Sequence, residues 1–193
     1  MPKLILSSCD FRNTISAKCI YDNLPIPIYQ CRVLYFPNEK ATSEKINGDT
    51  FYNRLQEFGF KKENIYVFDY FSPLSFDFPN VDAIYISGGN TFGTMKRIRD
   101  SGADKIITNY VRKGTVYIGG SAGAHIASSS IAHVKKYDIE TFGLNDFSGL
   151  NLFNGILICH YSEERREDYE YLKTQSDARI VLLTDQESIV INN

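Results

Sequence analysis

The strongest constraint on the fold is a series of short runs of Val, Ile, Leu, Tyr and Phe, separated by longer polar or amphipathic stretches. The runs occupy residues 4–6, 32–36, 65–68, 83–86, 115–118, 156–159 and 180–183. Several are continuous rather than alternating, as expected of strands covered by helices on both faces. Helices are predicted between them, over residues 43–58, 91–101, 103–113, 122–129 and 163–174. Thr42 or Ser43 is placed to cap the first, and Gly59 and Gly114 stand where C-terminal glycines end helices. The rhythm predicts one α/β domain over residues 1–193, with a mostly parallel sheet and helices on both faces. Residues 71–80, with two Pro and three Phe, read as a loop or short extension. Residues 188–192 read as a last strand, pairing antiparallel with 180–183 across a turn at 185–187. That strand runs almost to the last residue, so a little further C-terminal sequence is expected.

Composition narrows the class. The 193 residues carry 21 Lys and Arg against 23 Asp and Glu, a formal net charge of −2. That balance argues against a nucleic-acid binder relying on a general phosphate-attracting field. With 43% hydrophobic and 23% charged residues the chain is not disordered. No run approaches the roughly 20 apolar residues of a membrane span. The apolar start is too short for a secretory signal, so a soluble, cytoplasmic protein is expected. Cys9, Cys19, Cys31 and Cys159 lack the paired spacing of a zinc or redox motif. They are read as buried thiols in a reducing compartment, with no metal or cofactor expected.

The chemistry concentrates in residues 115–125, TVYIGGSAGAH. An apolar strand runs into Gly119, Gly120, Ser121, Ala122 and Gly123 and then an Ala-rich helix. This is Gly-x-Ser-x-Gly in the strand–turn–helix setting of a nucleophile elbow, where small neighbours permit a sharp, strained turn. The helix N-terminus would stabilise an oxyanion, with the Ala122 N–H as first donor. A glycine turn that merely packs a strand on a helix, or cradles a phosphate, is the plainer alternative. A Walker loop is excluded, since no Lys-Ser or Lys-Thr closes the motif. A second cluster, IYISGGNTF at residues 84–92, also joins a strand to a helix, and its loop should emerge at the same sheet edge. Gly88 or Gly89 is placed to give a second oxyanion donor, while Asn90 or Thr91 caps the next helix or joins the site.

A serine nucleophile needs a base, and the chain has three histidines. His125 lies one helical turn past Ser121, facing away or lining the pocket, and His133 is expected at the solvent face. His160 ends an apolar run and so stands at a strand's carboxyl end, which makes it the preferred base. The acid is open at this level: Asp138 and Glu140 precede His160, and Asp185 and Glu187 follow it. Asp185 follows a strand and should share the functional edge.

With GGNTF at 88–92, YIGGSAGA at 117–124 and His160 after a short strand, the sequence resembles the aspartyl dipeptidase (peptidase E) family of serine peptidases, with cyanophycinase more distant. The resemblance runs roughly from residue 3 to 190. It implies a fold similar to class I glutamine amidotransferases (flavodoxin-like), with the elbow after a central strand and Ser in place of a Cys nucleophile. By position it makes Ser121 the nucleophile, His160 the base, and Gly89 and Ala122 the oxyanion donors. The family's Leu-x-Glu turn is matched by Leu183-Thr-Asp185, giving Asp185 as the acid, with Asp138 as the alternative. Asn90 and Arg165 are the substrate-binding candidates; the next arginine of the family pattern falls near Asp168. The stretch around Arg165 and Arg166 is otherwise a plausible solvated helix face with internal ion pairs.

The implied activity is hydrolysis of short peptides, dipeptidase-like with Asp-X as the finer expectation, through an acyl-enzyme in a monomer or homodimer. The alternatives are a non-catalytic member binding a small acidic ligand or partner, and an esterase or amidase using the same elbow.

Overall fold

The computed structural model describes residues 3–73 and 79–192, so part of the 71–80 segment lies outside the described residues. In chain order the elements are β1 (Lys3–Ser7), α1 (Thr14–Asn23), β2 (Val33–Phe36), α2 (Ser43–Asn47), α3 (Thr50–Glu57), β3 (Ile65–Val67), β4 (Ala83–Ile86) and α4 (Thr91–Asp100). They continue with α5 (Ala103–Arg112), β5 (Val116–Gly120), α6 (Ala122–Ala127), β6 (Ile156–Ile158), α7 (Arg166–Gln175), β7 (Ile180–Leu182) and β8 (Ser188–Asn192). A six-stranded sheet has the order β3-β2-β4-β5-β1-β8, parallel except for β8, and β6 pairs with β7 in parallel as a separate two-stranded sheet.

The unbroken apolar runs follow from burial on both faces. Leu4, Leu6, Leu34, Ile84 and Ile86 face α4, α5 and α6, where they pack with Phe92, Ile107 and Ile126. Ile5, Val33, Tyr35, Tyr85 and Ile118 face α1 and α3, against Ile20, Phe51 and Leu55. Successive strand residues therefore enter opposite cores, and a polar residue on either side would lack water.

Several expectations change. The last strand pairs with β1, from Lys3 opposite Asn192 to Ser7 opposite Ser188, and not with residues 180–183. Hydrogen bonds from Tyr161 N–H to the Leu183 carbonyl and from Leu183 N–H to Ile158 extend the β6–β7 pair, leaving β8 to close the open edge of β1. The helix expected over 43–58 breaks at Gly48 and Asp49 into α2 and α3, although Thr42 Oγ1 caps α2 as expected by accepting Lys45 N–H at 3.2 Å. Gly59 and Gly114 do end their helices, at φ 103° and 99°. Helix α1 carries no apolar run; it buries only Ser16, Ala17 and Ile20 and starts on Asn13, whose side chain accepts the Ile15 and Ser16 N–H groups.

One contact sets where the elbow sits. A Cβ on Gly123 would lie 2.1 Å from the Ile86 carbonyl oxygen, so only glycine lets α6 lie against β4. Gly123→Ala should lower the urea midpoint by the equivalent of about 1–3 kcal/mol or more, as overpacking against rigid backbone does. An unchanged midpoint would show that α6 has room to move.

Candidate active site

Ser121 follows β5 and caps α6 with φ 47° and ψ −105°, a strained backbone for a non-glycine residue. Its N–H donates to the Ser7 carbonyl at 2.8 Å, fixing the turn to β1. Its Oγ lies 2.9 Å from His160 Nε2. His160 follows β6, also with positive φ (54°), and its Nδ1 lies 2.5 Å from Asp185 Oδ1. A carboxylate only accepts, so Nδ1 carries the proton and Nε2 offers its lone pair to the Ser121 hydroxyl. The His160 hydrogen bond holds the Asp185 carboxyl below its ordinary range. Glu187 fastens the turn that presents Asp185, accepting Thr184 N–H at 2.8 Å.

The other sequence candidates stand elsewhere. Asp138 is engaged elsewhere: its Oδ2 accepts the Thr91 N–H at 2.7 Å, at the N-terminus of α4. Glu140 accepts the Phe142 and Leu144 N–H groups at 3.0 Å. The Asn90 side chain is occupied, Oδ1 accepting Gly93 N–H at 2.9 Å as a helix cap and Nδ2 donating to the Ile139 carbonyl at 3.0 Å. Arg165 donates to the Cys159 carbonyl at 2.5 Å and lies 3.9 Å from the Tyr137 ring centroid, bracing the residue before His160. Arg166 pairs with Glu163 at 3.4 Å and is exposed.

The glycine turn after β4 does reach the elbow. A Cβ on Gly88 would lie 3.3 Å from Ser121 Cβ. Asn38 Nδ2 donates to the Gly88 carbonyl at 2.8 Å, which orients that peptide and points its Gly89 N–H the opposite way. Ala122 opens α6, so its N–H has no intrahelical acceptor.

His125 is buried and accepts the Cys159 N–H on Nε2 at 3.1 Å. Burial holds its pKa well below the ordinary value, so the ring is neutral and Nδ1–H points to Thr91 Oγ1 at 3.3 Å. His133 does not face solvent freely. Its Nε2 donates to the Leu157 carbonyl at 2.9 Å, Nδ1 is enclosed, and burial pushes its pKa down to about 4.

Sequence reasoning missed the chain just after β1. Ser8 Oγ accepts the His160 N–H at 3.0 Å and donates to the Leu183 carbonyl at 2.9 Å. Cys9 Sγ donates to Asp185 Oδ1 at 3.5 Å, and desolvation raises its thiol pKa. The ligating atoms of Cys9, His160 and Asp185 lie within 4.8 Å of one another, a closeness that the shared hydrogen bonds to Asp185 already explain. The signal was available: β1 is a parallel strand whose carboxyl end shares the edge with Ser121.

A family model described as peptidase family S51 matches residues 4–193. The chain is 39% identical over 83 residues to an uncharacterised peptidase of Listeria monocytogenes, covering 42% of this chain and 40% of that protein. It is 30% identical over 112 residues to peptidase E of Escherichia coli, covering 58% and 48%. The matched segments thus span less than half the length of these relatives. A peptidase E-like protein of Listeria monocytogenes EGD-e shares the fold, with a TM-score of 0.71 and 24% identity over 99% of this chain and 94% of that one. Among the described residues, no helix is long and apolar enough to cross a membrane.

The histidines predict a pH effect on stability. An unfolded His titrates near about 6.5. Folded His133 titrates at about 4, so between these values the unfolded chain binds more protons. The contribution is complete above about pH 6.5 and is lost as pH falls toward 4. His133→Gln should flatten the decline in urea midpoint between pH 7 and pH 5; equal declines in both proteins would contradict this.

Proposed function

This chain belongs to peptidase family S51, and on that footing we propose that it is a serine peptidase acting on short peptides through an acyl-enzyme. The observation that carries the reading is the continuous line from Ser121 Oγ through His160 Nε2 and Nδ1 to Asp185, at 2.9 and 2.5 Å. Ser121 Oγ attacks the scissile carbonyl carbon as its proton passes to His160 Nε2. The carbonyl oxygen gains negative charge and is met by the N–H groups of Ala122 and Gly89. Asp185 steadies the imidazolium without taking its proton. His160 then gives that proton to the amine nitrogen as the C–N bond breaks, leaving the acyl group on Ser121. Water attacks the ester, its proton goes to His160, and the return of that proton to Ser121 Oγ frees the acid product.

The reading takes Asp185 as the acid, supported by its bond to His160 Nδ1, while the Asp138 carboxylate accepts the Thr91 N–H. The finer expectation, a preference for an acidic first residue, is kept as part of the proposal. A cytoplasmic setting accords with four free thiols, of which Cys31 and Cys159 are buried.

An alkyl fluorophosphonate tests the nucleophile. Wild type should gain one adduct, mapped to Ser121, and Ser121→Ala none. Asp185→Asn should label about 10³-fold more slowly or worse, because the ring loses the acceptor that fixes its tautomer. Wild-type labelling no greater than that of Ser121→Ala would overturn the reading.

A further inference from the structure

A second set of charged side chains stands beside Ser121, on elements that take no part in the proposed proton transfers. A cleft of about 420 Å³ is lined by Arg12, Lys40, Arg54, Phe58, Gly88 and Gly89, with the acids Asp10 and Glu57 also on its wall. Its Gly88 wall adjoins the nucleophile: a Cβ on Gly88 would lie 2.8 Å from Arg12 Nη2 and 3.3 Å from Ser121 Cβ.

Among the described residues, Arg12 is held by its Nε edge. Its Nε donates to Asp10 Oδ1 at 3.0 Å and to the Cys9 carbonyl at 3.3 Å. Asp10 is 1% exposed and accepts the Tyr85 hydroxyl on its other oxygen at 2.9 Å. It takes a left-handed backbone, φ 47°, and fits against Gly120, where a Cβ would fall 2.3 Å from Oδ2. A buried, strained carboxylate thus anchors the guanidinium while the Nη2 side stands at the glycine turn. Across the cleft, Arg54 lies in reach of the Tyr35 phenol, whose oxygen is 2.9 Å from Ser87 Oγ. Among the described residues, neither Arg54 nor Lys40 forms an ion pair with a carboxylate. By contrast, Arg165 and Arg166 have partners of their own, Arg165 the Cys159 carbonyl and Arg166 the exposed Glu163.

We propose that this cleft is a subsite for a carboxylate of the substrate, clamped between the free edge of Arg12 and Arg54, with Lys40 adding charge. Its position beside the nucleophile rests on the peptidase reading; its affinity for a carboxylate does not. A planar guanidinium held along one edge offers two parallel donors to a carboxylate, stronger and more directional than a surface lysine. The carboxylate is either an acidic side chain or the peptide's own C-terminus, and the probes separate the two.

The test is calorimetric titration of Ser121→Ala protein with Asp-Leu, Asn-Leu and Asp-Leu amide. Replacing the recognised carboxylate by an amide should weaken binding by at least about tenfold. The side-chain source places the gap at Asn-Leu and the C-terminal source at Asp-Leu amide. In Arg54→Gln or Arg12→Lys, made in the same background, that gap should shrink by at least threefold. Arg12→Lys keeps a cation beside Asp10 and loses only the fork. No gap in the parent, or a gap changed by less than threefold in both variants, overturns the subsite. Fluorophosphonate labelling of wild type reports separately on the peptidase reading, so either proposal can fail while the other stands.

Discussion

The site depends on one buried hydroxyl. Ser8 Oγ accepts the His160 N–H and donates to the Leu183 carbonyl, joining the β6–β7 pair to the end of β1. Ser121 follows a strand of the six-stranded sheet, whereas His160 and Asp185 follow strands of the two-stranded one. Without a joint between the sheets, nothing in the main ladder would set the distance from nucleophile to base. A two-stranded ribbon is marginal alone, so its position must come from side chains and packing.

The polar groups around His160 show how this is done. His133 donates to the Leu157 carbonyl, His125 accepts the Cys159 N–H, and Arg165 donates to the Cys159 carbonyl. Two of the three histidines are thus spent, neutral and enclosed, on holding the strand that presents the third. Their depressed pKa values are the electrostatic counterpart of that role: a proton on either would be a buried charge. His160 is 36% exposed in its side chain and stands beside a carboxylate, where a transient positive charge is tolerated.

Parts of this were legible in the residues because the physics is local. Gly119, Gly120 and Gly123 around Ser121 mark backbone crowding, and the structure shows the crowding as contacts with Ile86 and Asp10. The meeting of His160 with Asp185 was legible because each follows an apolar run, and strand ends in a parallel arrangement converge. The pairing of β8 with β1 was not legible, since which open edge a strand closes is decided by tertiary packing. Helix α1 was missed because its buried face is made of Ser16, Ala17 and Ile20, too weak a stripe to read. Nothing in the residues around Arg12 and Arg54 marks a site, because only the fold brings the chain after β1 and helix α3 to the Gly88 turn.

The central claim is that Ser121, His160 and Asp185 act as one unit through a covalent intermediate. The most direct measurement is intact mass after rapid acid quench of wild type reacting with the p-nitrophenyl ester of an N-blocked acidic amino acid. The account predicts a burst of nitrophenol matched by one acyl group on Ser121. Turnover without an adduct on Ser121, or equal turnover by Ser121→Ala, would contradict it.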